Sequence, residues 1–192
     1  MARRLFAEFV GTAFLVTAII GSGITASRLS PTDTGLALFE NAAATGAALI
    51  AIILALGPVS GAHLNPVITM VDRVLGGLTT REAAGYVLAQ IAGGVVGALV
   101  ANLMFSLDVV SLSTKARTGG GSWLAEVVAT LGLSLVVFGV VRSGRTGAAP
   151  FAVGAYIAAA YFFTSSTSFS NPAVTLGRTL STPSPTSRPR RR

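Results

Sequence analysis

Two ten-residue stretches, SGAHLNPVIT at 60–69 and STSFSNPAVT at 166–175, each carry an Asn-Pro pair after strongly apolar sequence. Asn is a favoured helix N-cap, because its side-chain oxygen takes a backbone N–H of the first turn. Pro is favoured at the first helical position, where its missing N–H costs nothing. Asn65-Pro66-Val67 and Asn171-Pro172-Ala173 are therefore helix starts. Each is followed by only about ten plausible helical residues, roughly 15 Å or half a bilayer, so neither piece can span. In lipid, the non-helical backbone ahead of such a start must be buried in protein or line a watery cavity. The carbonyls of Gly61, Ala62, His63 and Leu64, and of Ser168, Phe169 and Ser170, are thus candidate acceptors along a pore. Half-helices entering from opposite faces would meet near the midplane, each N-terminal end carrying roughly half a positive charge. There the amides of Asn65 and Asn171 can donate to a passing oxygen while the field repels cations and protons.

The rest of the chain must hold those pieces in a membrane. Of 192 residues, 52% are hydrophobic and 11% charged, and the mean hydropathy is +0.71, which together read as a polytopic membrane protein. There is no cysteine, so disulfides and thiolate metal sites are excluded. The single His cannot hold a metal alone, and no cofactor is expected. A net charge of +7 would suit a nucleic-acid binder, but the basic residues are scattered between apolar blocks, so no nucleic-acid partner is expected. No Ser-His-Asp set, phosphate loop or metal cluster is present, so an enzyme is not expected either.

Five segments approach the length a bilayer requires: about 5–25, 36–57, 82–105, 123–141 and 149–165. Turn and charge residues fill the connections SRLSPTDT, DRVLGGLTTRE, SLDVVSLSTKARTGGGS and RSGRTGAAP. The first segment begins after an Arg pair, yet Glu8 interrupts it and no cleavage site precedes Ser27, so it reads as a retained helix. With the N-terminus cytoplasmic, Arg3, Arg4, Arg73, Arg81, Arg142 and Arg145 lie inside, against Arg28, Lys115, Arg117 and Arg178 outside. That balance follows the positive-inside rule, although a tail left outside by five spans would add Arg188, Arg190, Arg191 and Arg192 there and reverse it.

The two halves match each other. AEFVGT (7–12) and AEVVAT (125–130) share the form A-E-x-V-x-T, and NPVIT (65–69) and NPAVT (171–175) share N-P-x-x-T. Three spanning helices separate the starts of the copies, so the copies are inverted relative to each other, an arrangement that places a solute path at the repeat interface. The expected units are a first repeat over 1–105, a connecting loop over 106–122, a second repeat over 123–180 and a disordered Pro/Ser/Arg-rich tail over 181–192.

On these residues the chain resembles the major intrinsic protein family, the aquaporins and aquaglyceroporins. SGAHLNPVIT is similar to the family's first signature and SNPAVTLGR to its second; AEFVGT, Gln90 of YVLAQIAGG, and AEVVAT also sit where the family keeps similar residues. The resemblance implies an all-α, right-handed bundle of spanning helices with two re-entrant half-helices, usually a homotetramer with one pore per subunit, in the cell membrane. It implies that Glu8 and Glu126 accept hydrogen bonds from the re-entrant loops rather than relaying protons. His63 reads as a structural part of the vestibule loop rather than a pH gate.

Three departures stand out. Val67 replaces the usual Ala of the first motif and adds bulk beside the midplane. Val174 stands where the family usually places an arginine that narrows its filter. Counting from the motifs carries the other filter positions to Thr45, Ala159 and Ser168, a wide, mildly polar constriction without His, Arg or an aromatic. That favours small neutral solutes larger than water, with metalloid hydroxides such as arsenous acid ahead of glycerol. Third, LSTPSPTSRPRRR follows Thr179 where the family has a sixth spanning helix, so a truncated or frame-altered member is expected. The alternatives to a passive channel are a non-conducting remnant and, because broken helices in inverted repeats also serve alternating access, a secondary transporter.

Overall fold

The computed structural model describes residues 1–111, 119–166 and 170–181. Seven α-helices occur among them: α1 (Ala2–Leu29), α2 (Thr34–Ser60), α3 (Pro66–Val74), α4 (Thr80–Met104), α5 (Gly120–Arg142), α6 (Ala149–Phe163) and α7 (Pro172–Thr179). A 3₁₀ turn, Thr146–Ala148, leads into α6. Five elements are long and apolar enough to cross a membrane, α6 only together with that turn. With nine and eight residues, α3 and α7 rise only about 12–14 Å, so both are half-helices. Ser168, Phe169, Lys115, Arg117 and the tail from residue 182 onward lie outside the described residues.

Local chemistry sets the ends of the spans. Asp33 caps α2 by accepting from Leu36 N at 2.9 Å, and Gly61 ends it in the left-handed region at φ 87°, where a residue without Cβ has no steric penalty. Thr79 and Glu82 form a reciprocal capping box that starts α4, satisfying donors the helix cannot pair internally.

Small residues decide how closely the spans approach. A Cβ on Gly93 would sit 2.3 Å from the Phe9 carbonyl oxygen, and one on Gly97 2.3 Å from that of Ala13. The backbones of α1 and α4 are thus in contact, as small-residue faces allow in membranes. Thr17 adds a hydrogen bond to the Gly97 carbonyl at 3.0 Å. The same logic seats α2 on α6, where a Cβ on Gly46 would lie 2.9 Å from the Gly154 oxygen. Between these helices runs a core of Leu15, Val16, Ile19, Ile20, Leu49, Ile68, Leu133, Ile157 and Val174. Of the spans, α5 is buried least, with Trp123, Val127, Leu131 and Leu135 all open.

The far end of α7 is tied to α4 by one side chain. Asn102, fully buried, donates to the Val109 and Leu180 carbonyls at 3.0 and 2.9 Å, and its oxygen accepts from the Ser181 hydroxyl at 2.7 Å. Asn102→Leu is expected to lower stability by about 1–3 kcal/mol, because it removes the partner of the Val109 carbonyl and of the Ser181 hydroxyl, while the Leu180 carbonyl keeps the Ser111 N–H at 3.1 Å. Thermal unfolding in detergent checks this; an unchanged midpoint would mean that water takes over the bonds.

Candidate functional site

The two half-helices meet tip to tip. Asn65 caps α3 by accepting from Val67 N at 2.9 Å, and Asn171 caps α7 by accepting from Ala173 N at 3.0 Å. Each amide nitrogen then crosses to the opposite segment: Asn65 Nδ2 donates to the Ser170 carbonyl at 2.6 Å, and Asn171 Nδ2 donates to the Leu64 carbonyl at 2.7 Å. Both caps and both cross-braces come from the same two residues. A carboxamide nitrogen carries two N–H groups, so each Asn keeps a second donor, and both residues line one cavity.

Short backbone segments lead to these caps under strain. Ala62, Leu64 and Ser170 have φ of 46°, 53° and 44°, a region that costs a non-glycine residue roughly 1–2 kcal/mol. Two carboxylates, Glu8 buried and Glu126 half-buried, brace these segments. The Glu8 carboxylate, fully buried in α1, accepts from Ser60 Oγ at 2.6 Å, His63 N at 3.0 Å, Leu64 N at 2.8 Å and Gln90 Nε2 at 2.7 Å. On the other side Glu126 of α5 accepts from Ser170 N at 2.8 Å. Each carboxylate thus fixes the strained backbone just ahead of an Asn-Pro cap. Around Glu8 the polar shell continues, with Gln90 Nε2 also donating to Thr69 Oγ1 at 2.9 Å and Thr69 Oγ1 lying 3.2 Å from His63 Nδ1. His63 Nε2 is 3.8 Å from the Asp72 carboxylate, and its ring meets Tyr86 edge-on at 5.4 Å. Tyr86 donates to the Ser60 carbonyl at 2.8 Å and accepts from Arg4 Nε at 2.7 Å. His63 therefore sits in a braced wall beside the α3 mouth.

The cavity has a volume of ≈ 120 Å³, which holds several waters at roughly 10–15 Å³ of such volume each. Gly61, Ala62, His63 and Leu64 line it on the α3 side; Val174, Tyr161, Thr45 and Arg178 line it on the α7 side. Leu15, Ile19, Leu49, Leu133 and Ile157 supply apolar walls between. Pro66 and Pro172, at the first helical positions, instead border a separate outer groove beside Val67.

The cavity lining differs in three places from the filter residues that spacing suggested. Ala159 is exposed and does not line the cavity; Tyr161, two residues on, does. Two residues turn a helix by about 200°, so a back-count from Asn171 that misjudges the connecting segment by two lands on the opposite face. Next, an aromatic is present: Tyr161 is 4% exposed, with its hydroxyl 3.2 Å from Thr45 Oγ1. Finally, an arginine is present, because Arg178, one helical turn beyond Val174 on α7, reaches the same cavity. Val174 itself is 4% exposed and lines the cavity. The signal for Tyr161 and Arg178 lay in the sequence as polar residues within otherwise apolar or short helices, but their azimuth did not.

Comparison with known proteins agrees with the architecture. The family model "Major intrinsic protein" matches residues 1–186. The aquaglyceroporin AqpS of Rhizobium meliloti is 48% identical over 180 residues, covering 94% of this chain and 76% of that protein. Aquaporin-5 of Ovis aries is 33% identical over 150 residues, and the match covers 75% of this chain but 54% of that protein, so the chain spans only about half its length. Among solved structures, that of the aquaglyceroporin from Plasmodium falciparum superposes with a TM-score of 0.73 over 92% of this chain and 78% of that one, at 23% identity, a likeness of fold. Paired Asn-Pro caps braced tip to tip, five apolar spans around them and a family model that covers nearly the whole sequence all point the same way: the chain belongs to the major intrinsic protein family.

Proposed function

We propose that the chain is a passive channel for small neutral solutes: water, glycerol and metalloid hydroxides such as arsenous acid. The observation that supports this most is a cavity lined by both Asn residues and by the Tyr161–Thr45 hydroxyl pair but, among the described residues, by no carboxylate. A neutral polyol exchanges its hydration for the amides and hydroxyls, while cations meet the positive ends of two half-helices. Glycerol and arsenous acid each carry three hydroxyls, and with Tyr161 in the wall the supposed lack of aromatics no longer ranks one above the other. In this reading the chain sits in the cell membrane with its N-terminus cytoplasmic, as a homotetramer with one pore per subunit. Residues 1–105 and 123–180 act as two inverted copies of one unit.

The test is reconstitution into liposomes, with osmotic shrinkage in glycerol and uptake of arsenous acid compared with empty vesicles. Flux that is linear in solute and independent of ion gradients supports a channel; saturable, ion-coupled flux supports alternating access instead. Val174→Arg adds bulk and charge where the cavity wall is now small. It is expected to cut glycerol flux at least about tenfold relative to water flux, the effect of about 1.4 kcal/mol on a barrier. An unchanged glycerol-to-water ratio would mean that Val174 does not set the width.

A further inference from the structure

In the first half of the chain α4 covers both α1 and the polar brace behind α3. It runs parallel to α1, since Gly85, Gly93 and Gly97 approach Leu5, Phe9 and Ala13 in that order, and its Gly94 meets the backbone of Ala173 on α7. At mid-depth Gln90 donates to the Glu8 carboxylate at 2.7 Å and to Thr69 Oγ1 at 2.9 Å, and Glu8, Thr12 and Thr69 are all fully buried. The matched motifs carry each of these contacts into the second half. Counting from Glu126 in place of Glu8, the positions of Phe9, Ala13 and Thr17 fall on Val127, Leu131 and Leu135 of α5, which are 63%, 59% and 67% exposed. Counting from Asn65 in place of Asn171, the positions of Ala173 and Gly177 fall on Val67 and Val71 of α3, and both line an open groove with Met70 and Val74. Past Val67 and Pro172 the groove continues to Glu126, Thr130 and Thr175. Thr175 is exposed there, where its counterpart Thr69 is sealed.

We infer that this face of α5 and α3 is a docking site for one partner, a membrane-spanning helix of the α4 kind. It lies parallel to α5, sets small residues against Val127, Leu131 and Val67, and carries a carboxamide at mid-depth that donates to Thr175. The Thr175 hydroxyl gives its own proton to the Asn171 carbonyl at 3.1 Å, so its oxygen offers lone pairs to such a donor. Polar side chains at this depth are costly against lipid and face protein or water instead, while small-residue faces let two helix backbones meet. Residues 182–192, TPSPTSRPRRR, hold three Pro, four Arg and no apolar run, so they do not supply a helix of about 20 apolar residues. The proposal goes beyond the channel reading and does not depend on conduction.

The chain has no cysteine, so Ser143→Cys, at an exposed position just past α5, carries a donor dye at one place only. The probe is a synthetic peptide of residues 80–104 with lysines added at both ends and an acceptor dye at its C-terminus, reconstituted in liposomes with the full chain. Energy transfer is expected to saturate with peptide and to be displaced by unlabelled peptide. Thr130→Trp, which fills the groove, is expected to weaken association at least about tenfold. Leu88→Trp, at an exposed position on α4 away from the groove, is expected to leave it unchanged. Within the peptide, Gln90→Leu is expected to weaken association about five- to thirtyfold, the range for one interhelical hydrogen bond. Replacing its Gly93, Gly94 and Gly97 by Leu is expected to abolish association. Circular dichroism and gel filtration show that each variant is folded; should Thr130→Trp fail them, Met70→Trp, in the same groove, takes its place. Equal transfer for the unaltered chain and the groove variant, or for the original and Leu-substituted peptides, would overturn the site. Transfer between two copies of the chain that Thr130→Trp abolishes would give the groove to a second copy and overturn the partner helix.

Discussion

Glu8→Leu is expected to abolish solute flux and to destabilise the protein by on the order of 3–5 kcal/mol, the range for breaking a buried charged network. Glu8 is the fully buried acceptor for four donors from three elements: Ser60 at the end of α2, His63 and Leu64 in the re-entrant segment, and Gln90 on α4. Leucine fills a similar volume but accepts nothing, so two backbone N–H groups lose their partners inside the membrane, each at about 1–3 kcal/mol. Leu64 and Ala62 are held at positive φ, and without the carboxylate behind them the local backbone relaxes toward an unstrained conformation. That relaxation moves the Leu64 carbonyl away from Asn171 Nδ2, now 2.7 Å distant, and uncouples the two half-helices. Glu8→Gln should fall between, because one amide oxygen still accepts while its NH₂ faces donors. Chemical unfolding in mixed micelles and flux in liposomes measure the two consequences separately. A Glu8→Leu protein as stable and as permeable as the original would show that the re-entrant segment is held by packing alone.

Gly94→Val tests the second half-helix through the opposite kind of change. Here α7 rests on α4 through two glycines: a Cβ on Gly94 would lie 2.6 Å from the Ala173 carbonyl oxygen, and one on Gly177 would lie 2.7 Å from that of Gly94. Both obstacles are backbone, so no side-chain rotation relieves them. Overpacking of this kind costs typically 1–3 kcal/mol and occasionally more. Expelling α7 also shifts Val174 and pulls Asn171 against its bond to the Leu64 carbonyl. Flux is therefore expected to drop to the level of empty vesicles, with the unfolding midpoint lowered. Gly139→Ala on α5 is the matched control, because nothing lies within 4 Å of the added Cβ; stability and flux should both stay where they are. If Gly94→Val conducts normally, the half-helix has room that its contacts do not show.

Arg178 and Val174 illustrate where a linear reading stops. Both belong to α7 and stand four residues apart, on one face of the helix. From the chain alone, Arg178 counted only toward the charge balance across the membrane, because nothing in spacing says how far a short helix projects into a cavity. Whether its guanidinium faces lipid, solvent or solute depends on α2 and α6, whose Thr45 and Tyr161 close the other side of that mouth. The same holds for Ala159 and Tyr161, where a two-residue error in a connecting segment exchanges the inner and outer faces of α6.

What the sequence determined by itself were the features whose physics is local. Twenty-residue apolar runs define spans, Asn followed by Pro starts a helix, and two such starts with too few residues beyond them cannot cross a bilayer. Those rules involve neighbours along the chain and hold whatever the remaining structure does. The tertiary structure alone decided which side chains share the cavity, that each Asn amide reaches the carbonyl of the opposite segment, and that the Glu8 carboxylate gathers donors from α2, α4 and the re-entrant coil. These depend on how far each helix is rotated about its own axis. That rotation is set by glycine contacts between helices distant in sequence, such as Gly93 and Gly97 against α1 and Gly94 against Gly177.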